Sequence, residues 1–176
     1  MIKILIGVVV VAIAVIATFL VLDPNIGITS VGTVTEVANS FSVTVEGEVY
    51  KTGTYTLNEG ATMSDLFEAA GGTTNNADER AYYEDAILTS GMTYYIASRY
   101  DASDLCNTSE VDKVNVNTDD ASTLSQVSGI TQTIANSIVT YRTEKGLFSS
   151  LEQLMEVYGI GNATYHKIRN YVILHA

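Results

Sequence analysis

Two stretches of the chain carry the same spaced residues thirty positions apart: Leu124-x-x-Val127-x-Gly129-Ile130 and Leu154-x-x-Val157-x-Gly159-Ile160-Gly161. Neither holds a cysteine or a histidine, so the chemistry on offer is chiefly that of the backbone. Glycine admits positive φ and lets a foreign chain approach closely. The isoleucine that follows can plug the turn into a core. Free amides at the start of the next helix then point outward, with the helix dipole behind them, and such a terminus attracts phosphate without any base-reading side chain. Thr131 stands where the second copy has Gly161. A threonine resists positive φ and adds bulk, which predicts a weakened first copy and leaves Gly159–Ala163 as the main phosphate contact.

Other chemistries find little support. Both histidines, His166 and His175, fall in the last eleven residues, and Cys106 is the lone cysteine. That excludes an intramolecular disulfide framework and a thiolate zinc finger. There is no phosphate loop, no paired histidine ligands and no Ser/His/Asp order, so no enzyme, metal or cofactor is expected. Cys106 reads as an incidental thiol or as an intermolecular disulfide between two stalks. Asn107-Thr108-Ser109 and Asn162-Ala163-Thr164 have the form of glycosylation acceptors.

The repeats need helices to position them. Thr118 or Asp119 can cap a first helix with Leu124 and Val127 inward. A second has Ile134, Ala135, Ile138 and Tyr141 on one stripe. Leu151, Leu154, Met155 and Val157 mark a third, and a last helix turns Tyr165, Ile168 and Val172 inward. The spacing predicts an all-α domain over 113–176, joined by a linker, 98–112, to a different unit over 41–97. There Val43 to Val49 alternates apolar and polar as a half-buried strand. A turn at Lys51-Thr52-Gly53 leads to a returning strand with Tyr55 and Leu57, and Thr62 with Asp65 forms a capping box for a helix burying Leu66, Phe67, Ala69 and Ala70. Gly71-Gly72 ends that helix, and a last strand covers Thr93–Ala97. This is a small α+β unit.

Ahead of it, Ile4 to Leu22 runs nineteen residues without a charge, which as a helix spans about 28 Å, close to a bilayer's hydrocarbon core. Lys3 precedes the run and Asp23 follows it, so residues 1–22 are expected to form a single-pass membrane anchor with a cytoplasmic N-terminus, and residues 23–40 a stalk outside. The whole chain carries nine Lys+Arg against twenty Asp+Glu, net −11, which excludes a generally basic nucleic-acid coat. The acidity is unevenly spread. Residues 23–111 hold three basic and fourteen acidic side chains, whereas 112–176 hold five and six.

The residues named resemble known modules. The thirty-residue repeat is identified as the helix-hairpin-helix motif, and two copies related by a pseudo-twofold could grip both strands of a duplex across a minor groove. Val45-Glu46-Gly47-Glu48-Val49, Gly53-Thr54-Tyr55, Asp65-Leu66 and Ala69-Ala70-Gly71-Gly72 resemble the soluble-ligand-binding β-grasp (SLBB) domain, with Thr52 where that family usually has proline. Anchor, β-grasp unit and paired hairpins, in that order, resemble the ComEA family of competence DNA receptors. The resemblance implies a surface receptor that captures double-stranded DNA without sequence preference for natural transformation. It also implies a DNA-uptake channel and pilus components as partners, and self-association through the SLBB-like domain as a further expectation. The phosphate-binding positions it carries over are Gly129, Ile130, Thr131, Gly159, Ile160, Gly161 and Asn162, with Lys167 and Arg169 as supporting charges. Ile134 departs from the basic residue common at its position. With three or four phosphate contacts, binding of about 10⁻⁴–10⁻⁶ M and salt-sensitive is expected. The competing reading is an extracellular protein- or glycan-interaction module whose hairpins only shape a helical domain.

Overall fold

The computed structural model describes residues 39–101 and 109–176. The expected anchor and nearly all of the stalk, and Cys106 with its disulfide, lie outside the described residues. Among those described, no helix is long and apolar enough to cross a membrane.

Strand β1, Ser40–Gly47, is central in a three-stranded sheet of order β2-β1-β3, with β2 at Gly53–Asn58 and β3 at Thr93–Ile96. It runs antiparallel to β2, Val43 opposite Tyr55, and parallel to β3, Val45 opposite Tyr94. The alternation seen in the sequence puts Val43 and Val45 on the buried face. Helix α1, Met63–Ala70, covers that face with Met63, Leu66, Phe67 and Ala70. At about 100° per residue those four form one stripe, and Ala69, expected inside, falls off it and is exposed. The capping box forms, with the Thr62 amide donating to Asp65 Oδ2 at 2.7 Å, and Gly71 closes the helix at φ 81°.

The second part is not purely helical. Val114–Asn115 (β4) pairs in parallel with Val172–Ile173 (β5), so Val172 belongs to a strand rather than to the last helix. Between them come α2 (Ala121–Leu124), α3 (Gln132–Lys145), a 3₁₀ segment at Leu151–Glu156 and α4 (Asn162–Ile168). The cap of α2 is Asp120, whose carboxylate accepts from the Thr123 amide at 2.7 Å, and not Thr118 or Asp119. Asp119 instead accepts from the Asn115 amide at 2.7 Å. Leu124, Ala135, Ile138, Leu154, Tyr165 and Ile168 form the core, while Ile134 and Tyr141 pack at its margin.

Candidate nucleic-acid interface

The two hairpins are built alike. Gly129 and Gly159 take φ of 115° and 93°, a region closed to β-carbon-bearing residues except at a cost. The Ile130 amide donates to the Val127 carbonyl at 2.9 Å, and Ile160 to Val157 at 3.0 Å. Both isoleucines are buried plugs. One turn on, Ala135 donates to the Thr131 carbonyl at 2.8 Å, and Tyr165 to Gly161 at 2.9 Å. Residues 131–136 and 161–166 repeat the same order of exposed and buried positions. The halves also interlock: a Cβ on Gly129 would lie 3.0 Å from Ile168 and 3.1 Å from Lys167, and one on Gly159 would lie 3.1 Å from Ile134. Each hairpin therefore packs on the helix that follows the other.

Thr131 is not strained. It is the N-cap of α3 at φ −73°, ψ 162°, and Gly161 caps α4 in the same extended region. The left-handed residue sits two positions earlier, at Gly129, so the threonine is never asked for positive φ. Its hydroxyl accepts from the Ile134 amide at 3.3 Å. Gly161 has no side chain to do this, so the opening amides of α4 lack a side-chain cap. Gly129 and Ile130 hold the first turn, Gly159 and Ile160 the second, and Thr131, Gly161 and Asn162 are exposed at the two helix entrances.

The charges divide in a way the sequence does not reveal. Lys167, on α4, lies beside Gly129 of the first hairpin. Arg169 turns the other way, with Nη1 3.2 Å from Glu46 and its guanidinium 3.7 Å above the Tyr95 ring. Lys113 is buried with Nζ 2.8 Å from Asp78, and Arg142 donates to the Val116 carbonyl at 2.8 Å. Of the five cations in residues 112–176, Lys145 and Lys167 have no such partner among the described residues.

The helix-hairpin-helix motif family matches residues 109–173, and the SLBB domain family matches residues 42–92. ComE operon protein 1 of Bacillus subtilis is 31% identical over 137 residues, covering 73% of this chain and 67% of that protein. The chain belongs to the ComEA family. Membership places it among competence-related DNA-binding proteins. An uncharacterized protein of Haemophilus influenzae is 46% identical over 63 residues, 35% of this chain and 56% of that one. The transcriptional accessory protein Tex of Neisseria gonorrhoeae is 37% identical over 59 residues, 34% of this chain and 8% of Tex.

In this ComEA-family chain the β-grasp and hairpin parts share one unit, Asn39–Ala176, through polar contacts that no motif announced. Glu152, buried in the 3₁₀ segment, accepts from the Tyr95 amide at 2.9 Å and the Tyr165 hydroxyl at 2.8 Å. Burial pushes the Glu152 carboxyl up from its ordinary range, and burial together with the Glu152 charge pushes the Tyr165 phenol up as well. Asn170 Oδ1 accepts from the Ser98 amide at 2.8 Å. Burial would raise Asp78, but hydrogen bonds from Arg80 and Lys113 and the Lys113 charge outweigh it and hold the carboxyl at about 2. Burial pushes the Lys113 ammonium down. Part of the stretch read as a linker is therefore ordered: Val111 donates to the Arg99 carbonyl at 2.9 Å, and Arg99 pairs with Glu110 at 2.6 Å.

Proposed function

We propose that this chain is a membrane-anchored extracellular receptor that binds double-stranded DNA without sequence preference and delivers it for uptake in natural transformation. The observation that carries the reading is the pair of matched hairpins, each with an exposed helix entrance beside a left-handed glycine. Backbone amides recognise phosphate but not base identity, so the binding is blind to sequence. Gly129, Ile130, Thr131, Gly159, Ile160, Gly161 and Asn162 form the contacting turns, and Lys167 supplies charge to the first. Arg169, engaged with Glu46 and Tyr95, contributes chiefly by holding the hairpin part against the β-grasp unit. Residues 1–22 anchor the chain with its N-terminus in the cytoplasm, and the channel and pilus components of DNA uptake are its partners.

With Lys167 and Lys145 as the available cations, about two counterions are released, and log affinity falls with log salt at a slope of roughly two. Fluorescence anisotropy of the detergent-solubilised full chain with labelled duplexes of two unrelated sequences tests this. Equal affinities with that shallow slope are expected. No binding at low salt would overturn the reading and favour the protein- or glycan-interaction alternative.

A further inference from the structure

The thirty-residue repeat that relates the hairpins also relates two surface grooves. One, of about 660 Å³, lies between the first hairpin and α4 and includes Gln126, Val127, Ser128, Lys167 and Tyr171. The other, of about 520 Å³, lies between the second hairpin and α3 and includes Glu156, Val157, Tyr158, Ser137 and Tyr141. Shifted by thirty residues, these sets correspond position for position. The chemistry has nevertheless been exchanged. Where the first groove has Ser128 and the cation of Lys167, the second has Tyr158 and the neutral Ser137. Where the first has Gln126, the second has Glu156, whose Oε2 accepts from the Tyr141 hydroxyl at 2.8 Å.

From this exchange we infer that Tyr158 is a nucleoside-contacting residue: its ring lies against a deoxyribose of the strand held by the second hairpin, where the first hairpin instead uses the charge of Lys167. The inference rests on the DNA-binding reading above. Tyr158 immediately precedes Gly159 and is 83% exposed, more than any other large apolar side chain described. No core contact accounts for an aromatic there. Glu156 and Glu144 flank the groove with Lys145 as its one cation, so its charge is net negative and attraction of phosphate is weaker here than beside Lys167. Apolar contact with a sugar is indifferent to that negative field and to sequence, since every nucleotide carries the same deoxyribose. The occupant is thus the same duplex that the first hairpin holds, engaged on its other strand.

The test is anisotropy titration of the full chain with a short fluorescein-labelled duplex of mixed sequence, across a salt series. Tyr158→Ala is expected to weaken binding about fivefold, the scale of losing part of the apolar burial of one aromatic ring, and to leave the salt slope unchanged. Tyr158→Phe keeps the ring and should bind as the wild type does. Lys167→Gln should instead lower the slope by about one. Because Tyr158 is exposed, thermal melting of the alanine variant should match the wild type. Wild-type binding together with an unaffected Tyr158→Ala overturns the assignment alone, as does a loss that changes the slope. Failure of the wild type to bind at low salt removes the DNA reading and this inference with it.

Discussion

The first and second hairpins share one backbone and two sets of side chains. Donor–acceptor distances at the turn differ by 0.1 Å between them, and both glycines lie in the left-handed region. Yet Glu152, Tyr165, Arg169 and Asn170 of the second copy correspond to Ser122, Ala135, Val139 and Thr140 of the first. Glu152, Arg169 and Asn170 reach the β-grasp side through Tyr95, Glu46 and Ser98, and the Tyr165 hydroxyl donates to Glu152 behind them. The duplication has thus kept the turn, which is a backbone device, while its second copy acquired a docking face. The first copy, free of that duty, has Lys167 beside its glycine.

If the turn is the shared device, breaking either copy must cost the same. Gly129→Val and Gly159→Val each impose positive φ on a β-branched residue and push a Cβ against Ile168 or Ile134 at 3.0–3.1 Å. Backbone strain and overpacking together amount to about 4 kcal/mol. Both variants should lose most of their stability in urea denaturation and all measurable duplex binding. A Gly129→Val that folds and binds while Gly159→Val does not would show that the two turns are not equivalent.

The docking face predicts an effect confined to the seam. Asp78→Asn leaves the Lys113 ammonium buried without its counterion, which costs about 3 kcal/mol near neutral pH. Because the folded-state value of Asp78 is held at about 2 against an ordinary 3.8, its stabilisation is whole above about pH 4 and is lost as pH falls toward 2. The gap between wild type and variant in urea should therefore narrow by about 2 kcal/mol on acidification across that window. A gap independent of pH would mean that the Lys113–Asp78 pair does not tie the two parts together.

The two cations on α4 and just beyond it sharpen the comparison further. Lys167→Gln should weaken duplex binding a few-fold and lower the salt slope by about one. Arg169→Gln should leave that slope unchanged while lowering stability by about 1 kcal/mol, the scale of a half-buried charged contact with a ring stacked on it. Parallel titrations and melts separate the roles, and a slope change in Arg169→Gln would return that residue to the DNA surface.

What the sequence disclosed follows from how local each feature is. The repeat, the isoleucine plugs, the alternation of β1 and the Thr62–Asp65 box depend on residues within one turn or strand, so spacing alone carries them. The seam does not. Glu46 and Arg169 are 123 residues apart, Tyr95 and Glu152 are 57 apart, and in a single sequence Glu46, Glu152 and Arg169 each read as an ordinary surface charge. Lys113 illustrates the cost of that: counted among five cations, it is one of the most deeply buried. Val172 misled for another reason, since a two-residue strand has no periodicity of its own and its apolar residues extend the stripe of α4. At Thr131 the expected strain is absent because the left-handed residue is Gly129, two steps earlier in the turn.

The conformation of that cap supplies the smallest and most discriminating prediction. Thr131 and Gly161 are both N-caps in extended conformation, so exchanging them tests whether the cap hydroxyl helps or hinders the turn. Its bond to the Ile134 amide satisfies an opening donor of α3, and replacing threonine by glycine at such a position costs only a few tenths of a kcal/mol. The same change frees that amide for a phosphate. Thr131→Gly should therefore melt slightly lower and bind duplex equally or up to about twofold more tightly, whereas Gly161→Thr should melt slightly higher and bind less well, both within the modest scale of one neutral hydrogen bond. If both variants shifted affinity in the same direction as stability, the amides at the helix entrances would not be the contacts, and the turns would serve only to shape the domain.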